Sequence, residues 1–307
     1  MADQEDQILH YLITGGTGFI GRALIQTLSA QNARITILSR QHKTHPLHSQ
    51  CNVIQTLSAL PTETRLDCII NLAGSPIDRR WTPKVKRILL ESRIHTTQAI
   101  IQLVGRLTHK PKLMISASAI GYYGNYHNET LTEESTPKTP SFTHHLCSQW
   151  EKTAQEARHY GVRVCLARLG VVLGSEGGFI QKTYAPFKLG LGGCLGSGTQ
   201  GFSWIHIEDV IHGFLHLMHT PSLNGPYNFV APHALSNAQL TAAIGHVLKR
   251  PVIFNIPTPL VRLLFGEMGE NLLLKGNTIV PQRLMASGYP FQYTAITHAL
   301  AQIYAEI

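Results

Sequence analysis

The stretch that decides the fold is Ile8-Leu-His-Tyr-Leu-Ile-Thr14, followed at once by Gly15-Gly-Thr-Gly-Phe-Ile-Gly21. The apolar run is typical of a buried strand, and Phe19 to Ala30 repeats apolar residues at helical spacing. Glycines between such a strand and helix allow a tight turn and a close approach of the backbone to a pyrophosphate. The helix N-terminus then offers free N–H groups to the phosphates. The stretch therefore predicts a dinucleotide site, with contacts expected from Gly15, Thr17, Gly18, Phe19, Ile20 and Gly21.

The end of the second predicted strand indicates which dinucleotide binds. Sites that prefer NAD place Asp or Glu about 20 residues beyond the loop, where the carboxylate bonds the ribose 2′-hydroxyl. This chain has Ser39 and Arg40 there, with Lys43 close behind, and no Asp or Glu between Gln7 and Thr62. A guanidinium binds a 2′-phosphate that a carboxylate would repel. We therefore predict NADP(H) as the cofactor, with Ser39 and Arg40 beside the extra phosphate.

Strand-like and helix-like segments alternate along the first 172 residues. Apolar strand patterns recur at 34–38, 66–72, 112–117 and 162–169, and amphipathic helix patterns at 85–107 and 142–160. This alternation predicts an α/β fold, a doubly wound parallel sheet with helices on both faces. We expect residues 1–172 to form the dinucleotide-binding domain, with 202–230 returning to it. Residues 173–307, rich in glycine and then in proline, are expected to form a smaller substrate-capping region.

Composition excludes several classes of protein. The chain has 307 residues, 43% of them hydrophobic and 14% charged, which is typical of a globular protein rather than a disordered one. The five cysteines form no C-x-x-C pair, and we expect reduced thiols in a cytoplasmic protein. No apolar window is long enough to span a membrane. The net charge of +8 comes from scattered basic residues without long runs, so we expect neither a nucleic-acid nor a membrane partner.

Several further motifs carry a resemblance to a known family. With the glycine loop, Asn71-Leu-Ala-Gly74 and Ser203-Trp-Ile-His-Ile-Glu-Asp209, the chain resembles the extended, epimerase-like branch of the short-chain dehydrogenase/reductase superfamily. It is most similar to an atypical subfamily described as epimerase family proteins or predicted nucleoside-diphosphate-sugar epimerases. The marks of that subfamily are Arg80-Trp-Thr82, Glu91-Ser-Arg93, Gly121-Tyr-Tyr-Gly124, Trp150-Glu151, Arg168 to Gly174, Leu189 to Gly193, and a C-terminal segment at 251–305.

The resemblance implies a Rossmann core of about seven strands with the cofactor across the carboxyl ends of the strands. It implies that Leu72, Ala73 and Gly74 run beside the cofactor and that Arg93 points at its phosphates. The expected activity is that of an NADP(H)-dependent epimerase or oxidoreductase acting on a small molecule. The sequence identifies neither this substrate nor the oligomeric state.

The chain departs from the superfamily where catalysis is expected. The superfamily uses Tyr-x-x-x-Lys on the helix after the strand that bears the serine, but no tyrosine occurs between Tyr126 and Tyr160. Local alignment offers Thr143, Leu146 or Ser148 instead. The remaining candidate catalytic residues are Ser118, Tyr122 and Tyr123. The departure keeps an alternative open, in which the protein is an NADP(H)-binding regulator or sensor without catalysis.

Three other signals favour structural roles. Tyr184 and Lys188 match Tyr-x-x-x-Lys, but Pro186 between them is expected to break the helix that the pair needs. His212, His216 and His219 lie at helical spacing, and we interpret them as a solvated stripe rather than a metal site, so no metal is expected. His206, in the run before Asp209, is expected at the rim of the cleft in a structural hydrogen bond.

Overall fold

The computed structural model describes residues 8–40, 51–125 and 129–307. A seven-stranded, fully parallel sheet forms the centre of the molecule, with the strand order β12-β7-β5-β4-β1-β2-β3. The predicted doubly wound sheet is therefore confirmed. Its strands are β1 His10–Thr14, β2 Arg34–Leu38, β3 Asn52–Ile54, β4 Cys68–Asn71, β5 Leu113–Ala119, β7 Arg163–Leu169 and β12 Gly225–Phe229.

Helices cover both faces of this sheet, because its strands are apolar on both sides. Apolar residues on one face of the sheet pack against the first and fifth helices. Those on the other face pack against the second and third helices. The long second helix begins behind Thr82, whose side chain accepts from the Val85 N–H, and Pro83 at its first position suits a helix start. These helices are α1 Phe19–Ala30, α2 Pro83–Arg106, α3 Phe142–Gln155 and α5 Ile207–His219.

The helix predicted at 142–160 differs slightly from the observed one. Regular α3 ends at Gln155, and Glu156–Tyr160 continue as a 3₁₀ turn that ends at Gly161 in the left-handed conformation, with φ of 78°. Glycine suits that position because it has no Cβ to strain the backbone.

The rest of the chain packs above the carboxyl edge of the sheet. Its apolar residues form a separate core in which α6 and α9 lie against each other. Among the described residues, four pairs of short strands accompany this region: β8 with β11, β9 with β14, β10 with β13 and β6 with β15. The helices are α4 Gly178–Lys188, α6 Asn237–Leu248, α7 Thr258–Met268, α8 Gln282–Ala286 and α9 Ile296–Ala305. The short strands are β6 Thr130–Leu131, β8 Val171–Leu173, β9 Gly193–Leu195, β10 Gly201–Phe202, β11 Trp204–His206, β13 Leu235–Ser236, β14 Phe254–Ile256 and β15 Thr278–Ile279.

A buried carboxylate attaches the C-terminal residues to the core. Asp209 lies in the first turn of α5 and is fully buried. Its Oδ1 accepts from the Tyr289 hydroxyl at 3.0 Å and the Gln292 N–H at 2.9 Å, and its Oδ2 accepts from the Tyr293 N–H at 2.9 Å. A carboxylate in the first turn of a helix is also stabilised by the helix dipole. Among the described residues, no helix is both long enough and apolar enough to cross a membrane.

Candidate functional site

A cavity of about 530 Å³ lies at the carboxyl ends of the central strands. The strand order reverses between β1 and β4, and open α/β sheets bind their ligands in the crevice at such a reversal. The cavity runs continuously from the glycine loop to the region above the sheet. Its walls include Gly15, Gly18, Phe19, Ile20, Gly21, Leu72, Gly74, Arg93, Ser118, Thr143, Cys147, Phe202, Ser203, Asn271, Lys275 and Asn277.

The glycine loop has no room for side chains. A Cβ on Gly15, whose φ is 72°, would lie 2.6 Å from the carbonyl carbon of Leu72, and one on Gly21 would lie 2.4 Å from the Gly15 carbonyl oxygen. The helix α1 follows with Gly18 at its N-cap, no side-chain cap and no acidic residue in its first turn. Its first N–H groups are therefore free to donate to an anion. This cradle fits the diphosphate of a dinucleotide.

Four of the predicted cofactor contacts, the two at the end of β2 among them, are absent from the cavity wall. Arg40 is exposed two residues beyond β2, and Ser39 is buried with its N–H donating to Ile54 O. Thr17 is exposed in the loop, and Ala73 is partly buried behind β4. Lys43 lies outside the described residues. Arg40 therefore presents an exposed cation just past the carboxyl end of β2.

Arg93 brings a partly buried positive charge to the cavity. Its two terminal nitrogens donate to the carbonyls of Leu89 and Ser75, while the buried Nε has no hydrogen-bond partner. Burial lowers the pKa of the Arg93 guanidinium, and no carboxylate forms an ion pair with it among the described residues. A buried cation is stabilised by an ion of opposite charge. Arg93 therefore fits the role of a phosphate contact.

A buried network stands behind Ser118, and sequence reasoning did not assign it to the site. The Ser118 hydroxyl donates to Glu151 Oε1 at 2.6 Å. Arg168 donates from Nε to the same oxygen and from Nη2 to Oε2, both at 2.9 Å. Glu151 and Arg168 were visible in the sequence only as marks of the resemblance. Parallel pairing of β5 with β7 places Arg168 directly beside Ser118, a neighbour relation that depends on strand register.

The two candidate tyrosines differ in their surroundings. Tyr123 is fully buried and lies outside the cavity wall; its hydroxyl donates to Asn228 Oδ1 at 2.6 Å and accepts from Arg168 Nη1 at 3.1 Å. Burial raises the pKa of Tyr123 to about 12. The ring of Tyr122 covers the Arg168 guanidinium, with 3.5 Å between the guanidinium carbon and the ring centroid. Of the three predicted catalytic residues, only Ser118 lines the cavity.

Thr143 and Cys147 occupy the cavity wall on α3, four residues apart. Tyr-x-x-x-Lys has the same spacing, which places both side chains on one face of a helix. Burial raises the pKa of the Cys147 thiol to about 12. Leu146 also lines the cavity, whereas Ser148 bonds to His144. Neither Thr143 nor Cys147 supplies the acid and the cation that the superfamily uses.

The expectation that Pro186 breaks the helix at Tyr184 is wrong. Helix α4 continues through Pro186 to Lys188, whose Nζ lies 4.9 Å from the Tyr184 ring centroid. The helix continues although Pro186 has no N–H to donate to the carbonyl four residues earlier. Tyr184 stacks on Tyr304 and is absent from the cavity wall.

The histidines are more buried than expected. His206 is 1% exposed rather than at a rim, and it bonds Gln302. His212 has a buried Nδ1 without a partner, His216 bonds Ser287, and only His219 of the predicted stripe is exposed. Within the described ranges, no group of three or more His, Cys, Asp or Glu side chains could hold a metal ion.

Comparison with known proteins identifies relatives over the whole chain. The model of the NAD dependent epimerase/dehydratase family matches residues 11–230, and a domain of unknown function, DUF1731, matches 256–303. The epimerase family protein SSP1921 of Staphylococcus saprophyticus is 37% identical over 96% of this chain and 99% of its own length.

Solved structures agree with this result. The human epimerase family protein SDR39U1 (isoform 2), crystallised with NADPH, is similar with a TM-score of 0.88 and 32% identity, covering 97% of this chain and 100% of that one. A nucleoside-diphosphate sugar epimerase from Corynebacterium glutamicum has a TM-score of 0.77 and 29% identity, covering 97% of this chain and 58% of that one. With its parallel sheet, glycine cradle and cavity at the strand reversal, the chain belongs to the NAD dependent epimerase/dehydratase family.

Proposed function

We propose that the protein is an NADP(H)-dependent oxidoreductase or epimerase of a small molecule that carries a carbonyl or a carbinol carbon. The main support for this proposal is that the glycine cradle and Ser118 line the same cavity. A dinucleotide that lies on the cradle and extends along β4 would bring its nicotinamide toward the end of β5. The bound nicotinamide supplies or accepts a hydride there.

The preference for NADP(H) over NAD(H) rests on charge. Arg40 is exposed past the end of β2, and Arg93 has an unpartnered buried nitrogen in the cavity. The sequence contains no Asp or Glu between Asp6 and Glu63. The exposed Arg40 and the lack of a carboxylate near it favour a cofactor with an additional phosphate, while Arg93 would serve the diphosphate that both cofactors share. A relative that is 32% identical was crystallised with NADPH, which supports the same preference.

The chain's own residues would hold the substrate and manage its proton. Ser118 is the hydroxyl in the cavity wall with a direct bond to a carboxylate, Glu151. Phe202, Leu272 and Ile120 add apolar walls that would keep water from the reacting carbon. An oxidoreductase would release the product after one hydride transfer, whereas an epimerase would return the hydride to the opposite face.

One observation favours a second candidate function, an NADP(H)-binding regulator or sensor. The cavity wall on α3 presents Thr143 and Cys147 but no tyrosine or lysine, and the Tyr123 hydroxyl is bonded inside the fold. A protein that binds the cofactor without a proton donor could respond to its redox state through shape alone. The two candidates differ in whether bound NADPH is ever oxidised.

Cofactor choice is tested by fluorescence titration of NADPH and NADH. Wild type should bind NADPH more tightly, and Arg40→Ala should weaken NADPH by about tenfold or more through the loss of charge-assisted bonds, with NADH changed less than twofold. Arg34→Ala is the matched control, since Arg34 is exposed at the opposite end of the same strand. Equal affinities of wild type for both cofactors would refute the preference.

Catalysis is tested by stopped-flow absorbance of NADPH-loaded protein mixed with a panel of ketones, aldehydes and sugar nucleotides. Enzyme-dependent loss of the reduced-nicotinamide signal with at least one compound supports the oxidoreductase. An epimerase produces no net loss, so each sugar nucleotide is also incubated with NADP⁺-loaded protein and checked for its epimer by NMR. Tight NADPH binding with neither result favours the regulator.

A further inference from the structure

The direction of the hydrogen bond between Ser118 and Glu151 is fixed by the atoms around it. Arg168 donates to both oxygens of the Glu151 carboxylate, and such a bidentate pair stabilises the ionised form. An ionised carboxylate only accepts hydrogen bonds. The single hydroxyl proton of Ser118 must therefore lie on the 2.6 Å line to Glu151 Oε1. Burial strengthens this arrangement, since Ser118, Glu151 and Arg168 are 2%, 4% and 3% exposed.

The rest of the network runs in one direction, away from Glu151. Arg168 Nη1 donates to the Tyr123 hydroxyl, which donates to Asn228 Oδ1, and Asn228 Nδ2 donates to Val280 O. The Tyr122 ring covers the guanidinium from one side. Arg168 is thus held by the ion pair, the Tyr123 oxygen and the ring. Rotation of the Ser118 hydroxyl away from Glu151 would break a buried hydrogen bond.

Ser118 belongs to the cavity wall, and with its proton committed to Glu151 its Oγ has only lone pairs left for a ligand. A ketone or aldehyde oxygen at this position would face an acceptor, whereas a hydroxyl could donate to it. We propose that Glu151 is a positioning residue that makes Ser118 a hydrogen-bond acceptor, so that the site binds its substrate in the hydroxyl form, as an alcohol. This inference rests on the proposed function, because it names the form of the substrate at the same site.

The first test locates the proton without any substrate. Neutron diffraction from deuterium-exchanged crystals of the full chain at neutral pH should show the Ser118 deuterium between Oγ and Glu151 Oε1, with none on the carboxylate. A deuterium that points into the cavity, or a protonated Glu151, overturns the proposal. The result is independent of whether the protein turns anything over, so its failure is distinct from failure of the proposed function.

The second test compares a small alcohol with its ketone by ligand-observed NMR. Cyclohexanol is titrated into NADPH-loaded protein and cyclohexanone into NADP⁺-loaded protein, so that no hydride transfer occurs in either complex. Ser118→Ala should weaken cyclohexanol about fivefold and leave cyclohexanone within twofold, because only the alcohol donates to Ser118. Equal weakening of both, or a larger effect on the ketone, contradicts the proposal. If wild type binds neither probe, the neutron result alone decides.

Two variants separate positioning from packing. Thr153→Val is the matched control for Ser118→Ala: it removes a buried hydroxyl from α3 that donates to Gln149 O and does not line the cavity. It should leave both probe affinities unchanged. Glu151→Gln keeps the shape but supplies an amide that can donate to Ser118, so the preference for cyclohexanol should fall. If this variant fails to fold because Arg168 loses its ion pair, the effect of Ser118→Ala on cyclohexanol and cyclohexanone binding still tests the proposal.

Discussion

The attachment of the C-terminal residues by Asp209 gives the sharpest stability prediction. In Asp209→Ala, the N–H groups of Gln292 and Tyr293 lose their acceptor, whereas the Tyr289 hydroxyl keeps the backbone carbonyl of residue 209, which lies 3.0 Å from it. Each lost bond is a buried bond to a charged group, for which about 1.5 kcal/mol is a conservative contribution. The two N–H bonds together predict that the free energy of unfolding falls by about 3 kcal/mol. Asp209→Asn keeps one oxygen but turns an NH₂ toward a donor, so we expect a loss of about 2–3 kcal/mol.

Urea unfolding followed by circular dichroism measures this loss, and limited proteolysis shows where it acts. Cleavage near α9 should accelerate in Asp209→Ala before the central sheet unfolds, because the broken bonds hold that end of the chain. Asp78→Ala is the control: its ion pair with Lys182 is exposed, and such pairs contribute less than about 1 kcal/mol. A loss below about 1 kcal/mol in Asp209→Ala would refute the reasoning.

Three further predictions concern the loop, the thiols and the histidines. Gly21→Ala should weaken NADPH binding by at least about 100-fold in fluorescence titration, since its Cβ would overlap the Gly15 carbonyl. The control, Thr27→Ala on the same helix, should leave the affinity unchanged. An affinity of Gly21→Ala within about threefold of wild type would contradict this prediction. Burial raises the pKa values of the Cys68, Cys147 and Cys165 thiols, so these three should react with a disulfide reagent only on unfolding, and modification of Cys147 in native protein, seen by mass spectrometry, would be inconsistent with this. Burial lowers the pKa values of His10 and His206 from 6.5, so the unfolded chain takes up protons first on acidification; the stability that both provide is complete above about pH 6.5 and is lost below it. Urea midpoints should therefore fall between pH 7 and 5.5, less steeply in His206→Asn, and a midpoint that rises on acidification would show the sign to be wrong.

Local sequence was sufficient for five of the seven strands, for the helices α1, α2 and α3, and for the glycine cradle. Apolar periodicity and the demand for glycine at Gly15 and Gly21 are properties of neighbouring residues, so they can be recognised without knowing the fold. Sequence spacing also placed Ser118 at the end of β5. It failed at Pro186, because a proline costs a helix one hydrogen bond without always ending it, and the sequence pattern does not show which outcome occurs.

Tertiary structure alone decided what Ser118 faces. Glu151 is 33 residues away on α3, and Arg168 comes beside Ser118 only through the register of β5 on β7. The same packing buries Tyr123 and leaves Thr143 and Cys147 in the cavity wall. Sequence thus determined the cradle for the dinucleotide, because its constraints act along the chain. The hydrogen-bond partners of Ser118 required the folded sheet, because register and burial arise between segments that the chain keeps far apart.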